Sequence, residues 1–164
     1  MNVTSLRDLH IAELQEIRCV EEQLVGALPR MADVADHPEP KEGIQTHLEE
    51  TRAQQSRVEE ILSRHSAEPR EHVDQAMQAM LKEAEKWAGM VQDRDLRNAG
   101  IIASAQRVEH YEIAVYGSLA TWAKQLGLDE DVQALLAILE EEKRTDERLG
   151  MLAKRMINPD TAAS

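Results

Sequence analysis

Residues Ala103 to Leu126 read ASAQRVEHYEIAVYGSLATWAKQL. No proline interrupts them, and apolar side chains recur every three or four residues. Ile101, Ala105, Val108, Tyr116, Leu119 and Ala123 therefore fall on one face of a helix. Glu112 lies in the same stripe, between Val108 and Tyr116, with Glu109 one turn before it on the same side. A carboxylate in a core-facing stripe is costly unless it is paired, protonated or bound to a metal. The stripe therefore calls for partner groups on other helices.

Repetition supplies candidates. Glu21 is followed by Gly26, Leu28 and Ala32, and Glu112 is followed at the same offsets by Gly117, Leu119 and Ala123, a displacement of 91 residues. Glu49-Glu50-Thr51-Arg52 matches Glu141-Glu142-Lys143-Arg144 at a displacement of 92. Two helix pairs repeating in one order at nearly one displacement point to internal duplication. The expectation is that Glu21 superposes on Glu112 and Glu50 on Glu142.

Composition narrows the class. The chain has 164 residues, enough for one domain with a real core, and no Phe; Trp87, Trp122, Tyr111 and Tyr116 are its only aromatic residues of the Phe, Trp and Tyr type. A core of Leu, Ile, Val, Ala and Met suits an all-helical protein. The net charge of −12 argues against nucleic acid, which requires a basic footprint, and against anionic membrane surfaces. Surplus acid most commonly sits on solvated helix faces. Cys19 is single and cannot form an intrachain disulfide. No stretch reaches the roughly 18 apolar residues of a membrane span, and no leader pattern opens the chain, so a cytoplasmic protein is expected.

Taken in order, the periodicity predicts helices over about 5–35, 41–65, 73–90, 95–126 and 129–157, with a tail at 158–164, all in a single domain. Ser5 with Asp8 resembles a capping box for the first helix. Its stripe reads Leu6, Leu9, Glu13, Ile17, Val20/Glu21, Leu24, Leu28 and Met31, with Val34 and Ala35 continuing beyond a kink at Pro29. Asp36-His37-Pro38-Glu39-Pro40 is a break. The second stripe contains His47, Glu50 and Gln54. Residues 70–94 stand outside the repeat and read as a crossover helix whose Trp87 and methionines pack on the bundle or on a second subunit. Asp93 or Asp95 caps the next helix and Gly127 ends it. Asp129 starts the last helix, and Asn158-Pro159 stops it.

Four long helices with one crossover between the second and third form a ferritin-like antiparallel four-helix bundle with an additional helix. In that architecture inward Glu side chains hold two metal ions, because carboxylates at one depth repel unless cations neutralise them. Glu21, Glu50, Glu112 and Glu142 are the four candidates here. The histidines of the usual Glu-x-x-His pairs are replaced by Ala53 and Thr145, while Gln54 and Asp146 stand four residues after the second and fourth Glu. Gln54, Asp146, Glu109 and His47 therefore complete the candidate ligand set. His110 points about 100° away from Glu109. Tyr116 either donates a hydrogen bond near the site or is plain core. No phosphate-cradling loop, nucleophile elbow or Cys/His zinc spacing is present.

The segments Val20-Glu21-Glu22-Gln23-Leu24, Ala27-Leu28-Pro29-Arg30-Met31, His47-Leu48-Glu49-Glu50-Thr51 with Gln54, Ala105 to Ala114 with Tyr116-Gly117, and Leu139 to Lys143 with Asp146 cover most of the chain. In them the sequence resembles the YciE/YciF-type ferritin-like stress proteins of bacteria. The resemblance implies the ferritin-like bundle, a homodimer and a link to stress responses. Two readings of function follow. One is a carboxylate-rich di-metal protein holding iron (Fe) or manganese (Mn), two ions per chain, acting on oxygen or peroxide. The other is a metal-free helical-bundle dimer that binds partners under stress, its central acids forming a protonated polar cluster.

Overall fold

The computed structural model describes residues 2–34 and 38–156. Among them are five helices and no strand: α1 (Leu6–Val34), α2 (Pro38–Arg64), α3 (Gln75–Met90), α4 (Arg94–Gln125) and α5 (Asp129–Met156). The expected break at Asp36-His37, the continuation at Ala35, the stop at Asn158-Pro159 and the tail lie outside the described residues. α2 begins at Pro38, three residues before the expected start. A proline in the first helical turn forfeits a backbone donor that has no intrahelical partner there. α1 runs on through Pro29.

The helix ends follow local chemistry. The Asp93 carboxylate caps α4 by accepting from the backbone N–H groups of Asp95 and Leu96. α4 closes in a Schellman motif: Leu128 N–H donates to the Ala123 carbonyl at 3.0 Å and Gly127 N–H to Lys124 at 3.2 Å. Gly127 has φ +70°, which glycine adopts without a Cβ clash. At the start of α1 the Ser5 hydroxyl accepts from Asp8 N–H at 3.1 Å, but the Asp8 carboxylate reaches back to Thr4 instead of Ser5.

α1 packs on α2 and α4 on α5; contacts between α1 and α4 and between α2 and α5 close an antiparallel four-helix bundle. The connectivity is ferritin-like, with α3 as the crossover helix lying along α4 and touching α1. The core is aliphatic: Leu14, Ile17, Val20, Leu24, Val58, Ile61, Leu62, Leu119, Leu135 and Ile138, with Met77 and Tyr116 among them. On α1 the buried face includes His10 and Leu14, while Leu9, expected in the stripe, is exposed. On α3, Met77 enters the core and Met80 packs partly against it, whereas Trp87 and Met90 remain exposed.

Burial also fixes the repeat. A displacement of 91 pairs buried Ile17 with Val108, Glu21 with Glu112, Leu28 with Leu119 and Ala32 with Ala123. The same displacement pairs buried His47 with Ile138, Thr51 with Glu142, Gln54 with Thr145 and Ile61 with Leu152. The identity match at 92 is thus one residue out of step, and one residue rotates a helix position by about 100°. Thr51, rather than Glu50, stands where Glu142 stands.

Candidate metal centre

The mid-bundle core holds more acid than an aliphatic interior tolerates alone. Glu21 (α1), Glu109 and Glu112 (α4), and Glu142 (α5) are all at most 1% exposed, and His47 (α2) is buried beside them. Their ligand atoms form two groups: Glu21, Glu112 and Glu142, and His47, Glu109 and Glu112, the atoms within each group lying no more than 4.8 Å apart. Glu112 belongs to both. The spacing of three between Glu109 and Glu112 sets both on one face of α4, so one helix supplies two of the five groups.

The first group is held from outside. Tyr116 donates its hydroxyl to Glu21. Gln54 donates from Nε2 to Glu142 and, at 3.2 Å, to Glu141. Arg57 forks onto Glu141. His47 Nε2 lies 3.2 Å from Glu109 Oε1. Yet both oxygens of Glu112, Oε2 of Glu21, Oε2 of Glu109 and Nδ1 of His47 are buried without a hydrogen-bond partner among the described residues. Buried polar atoms in a native structure are normally paired, so this many orphans in one place require an explanation.

Burial dominates the protonation chemistry. It pushes Glu21 and Glu112 well above the usual carboxylate range, with the Glu142 charge adding to both, while the Tyr116 hydrogen bond pulls Glu21 back. Burial, then the neighbouring Glu142, raises Glu109. Glu142, slightly less enclosed, is pushed up to about 7, again chiefly by burial. His47 is held down to about 4 by burial and is neutral at pH 7. Burial and mutual repulsion thus favour protons on these acids unless cations replace them.

The remaining sequence candidates lie outside this cluster. Glu50 sits half-exposed at the rim, its Oε2 accepting from Arg148 at 2.8 Å and from the Thr145 hydroxyl at 3.4 Å. Glu50 thus belongs to neither ligand group, one residue out of step with Glu142 in the repeat, although its charge acts on both Glu142 and His47. No sequence signal pairs Arg148 with Glu50. Asp146 lies beside His110 at 3.2 Å, with His110 itself exposed, and neither belongs to the two ligand groups. Gln54 reaches the cluster as a hydrogen-bond donor. Tyr116 is both core and donor.

A cavity of about 310 Å³ opens onto the His47–Glu109 side. Leu28, Met31, Ile44, Ile101, Ile102 and Leu152 line its walls, and Glu42, Arg148 and Arg155 also border it. The described residues contain no helix long and apolar enough to cross a membrane.

Residues 5–162 match the family described as Domain of unknown function (DUF892). The chain is 36% identical to Protein YciF of Escherichia coli strain K12 over 159 residues, covering 96% of each. Its fold matches the crystal structure of the E. coli stress protein YciF with a TM-score of 0.91 at 35% identity, covering 96% of this chain and 99% of that one. It also matches YcfI, a putative structural protein from Rhodopseudomonas palustris, with a TM-score of 0.88 at 36% identity, covering 91% and 95%. Fold and sequence thus agree, and the chain belongs to the DUF892 family, as a relative of the stress protein YciF.

Proposed function

We propose that this protein holds two iron or manganese ions at the mid-bundle cluster and acts on oxygen or peroxide. One position takes Glu21, Glu112 and Glu142; the other takes His47, Glu109 and Glu112. The observation that carries the reading is the sharing of Glu112 between two buried ligand groups, both of its oxygens being unpartnered. Oxygen-rich donor sets suit hard or borderline divalent ions, and a carboxylate common to two positions keeps such ions close together. When bound, such a pair supplies one-electron redox chemistry toward a small oxidant.

The chain's own residues prepare the place. Tyr116 and Gln54 orient Glu21 and Glu142 by hydrogen bonds from outside, as outer partners orient ligands in metal sites. Neutral His47 offers a ring nitrogen at pH 7. Uptake of cations displaces protons from the raised carboxyls, so it is linked to pH. The cavity's largely aliphatic walls suit a small uncharged oxidant such as dioxygen.

The test is elemental analysis of protein prepared without chelators and reconstituted anaerobically with Fe(II) or Mn(II). Wild type should hold two ions per chain more than Glu112→Gln. Equal metal in both would leave the metal-free polar cluster as the better reading.

A further inference from the structure

A second group of ligand-type side chains lies away from the mid-bundle cluster. The start of α1, the end of α2 and the start of α5 bring together His10, His65 and Asp131, one nitrogen or oxygen of each lying within 4.8 Å of the others. His10 precedes Glu21 by eleven residues, about 16 Å along a helix axis.

His10 is the informative member. It is 0% exposed, and neither ring nitrogen has a hydrogen-bond partner among the described residues. Its ring meets that of His65 edge-on, centroids 6.1 Å apart, so the two are packed without being bonded. A buried imidazole with both nitrogens idle loses its hydration and gains nothing in exchange. Asp131 is arranged quite differently. Its Oδ1 accepts from Arg64 Nε at 3.1 Å and Nη2 at 2.8 Å, and its Oδ2 faces His65 Nε2 at 2.6 Å. The arginine thus fixes one oxygen and leaves the other turned toward the histidines, as outer partners do for ligating carboxylates.

We propose that His10, His65 and Asp131 Oδ2 form a separate site for one borderline divalent transition ion of the zinc class. Two imidazoles and one carboxylate with a further position open to water is a ligand set that zinc accepts. His65, whose side chain is 10% exposed, is the member of the three nearest to solvent. Ligand atoms around tetrahedral zinc stand about 3.3 Å apart. The His65–Asp131 contact therefore has to open by less than ~1 Å to admit the ion. Burial holds His10 down to about 4, which leaves its lone pair free at neutral pH. An ion-pair clasp between α2 and α5 accounts for Arg64, His65 and Asp131, but it gives His10 nothing to do. The site shares no residue with the mid-bundle cluster and does not depend on how that cluster is read.

The test uses the full chain carrying Glu21→Gln and Glu112→Gln, which disables the mid-bundle position, titrated calorimetrically with zinc. One zinc per chain is expected, and adding His10→Leu or Asp131→Asn should weaken binding at least about ten-fold, the lower bound for loss of a mere outer partner. No zinc uptake at millimolar concentration, or equal affinity with His10→Leu, overturns the proposal. In the unsubstituted chain, zinc should move the ring-nitrogen NMR signals of both His10 and His65. Unmoved His10 signals at saturating zinc overturn it irrespective of how the variants fold.

Discussion

Thr51 of α2 occupies the buried place that Glu142 occupies on α5, 91 residues further along the chain, and it hydrogen-bonds to its own helix through the His47 carbonyl at 2.8 Å. The acid next to it, Glu50, is consequently an outer residue. Melting series with and without Fe(II) or Mn(II) should separate the two glutamates. Glu50→Ala should keep the metal-dependent rise in melting temperature, because a ligand that prefers the native state stabilises it by mass action. Glu142→Ala should lose it. Loss in both variants would return Glu50 to the cluster.

The metal-free protein should become less stable as pH rises from 7 to 9. Glu21, Glu109 and Glu112 are raised well above their ordinary values, and Glu142 to about 7. The folded chain therefore binds more protons than the unfolded chain in this range, and stability falls with rising pH for as long as the fold retains them. Each carboxyl still protonated in the fold contributes a slope of about 1.4 kcal/mol per pH unit. Buried His10 and His47, lowered to about 4 from 6.5, act oppositely, but only below about pH 6.5. Urea unfolding at pH 7, 8 and 9 checks this, and Glu112→Gln should flatten the decline.

Tyr116→Phe tests the hydrogen bond to Glu21. Removing the hydroxyl leaves a buried oxygen of Glu21 without its donor, which should cost about 1–3 kcal/mol in metal-free protein. In Glu21→Leu, the same Tyr116→Phe change should cost less. Equal costs in the two backgrounds would mean that the hydroxyl contributes nothing through Glu21.

Asp74 anchors α3. Its carboxylate accepts from the backbone N–H of Met77 and from the Tyr111 hydroxyl, and its carbonyl accepts from Gln23 at 3.0 Å. Asp74→Ala should cost about 1–2 kcal/mol through the lost cap alone. Amide exchange should accelerate over 75–90 and not in α4. Uniform acceleration through both helices would show that α3 does not open by itself.

If the chain forms a homodimer, the exposed end of α3, where Trp87 and Met90 meet solvent in the single chain, is the surface to test. Sedimentation of Trp87→Glu/Met90→Glu should then give a monomer where wild type gives a dimer. An unchanged dimer would place the interface elsewhere.

The helices, the crossover and the pairing of Glu21 with Glu112 were legible in sequence because 3.6-residue periodicity and a constant displacement survive without coordinates. Three things were not. Glu50 drew attention because Glu49 to Arg52 resembles Glu141 to Arg144, yet side-chain identity at one displacement cannot reveal a one-residue slip; burial does. The apolarity of Leu9 predicts core although it is exposed, while His10, polar and buried, falls outside any apolar stripe. His65 and Asp131 belong to no period or motif with His10, and only the meeting of three helix ends brings them together. His47 and Glu109 were legible as candidates from their faces, but their joint position with Glu112 needed the fold.

If the mid-bundle cluster takes metal, the largely apolar opening over His47 and Glu109 separates how tightly an ion is held from how fast it is exchanged. A hydrated cation or a polyanionic chelator loses water beside Ile44, Ile101 and Leu152, only partly offset by Glu42, Arg148 and Arg155, while dioxygen sheds little. Metal added to the folded protein should then load after a measurable lag, which refolding in the presence of the ion should remove. Chelators added later should strip it at the rate of helix opening, independent of chelator strength.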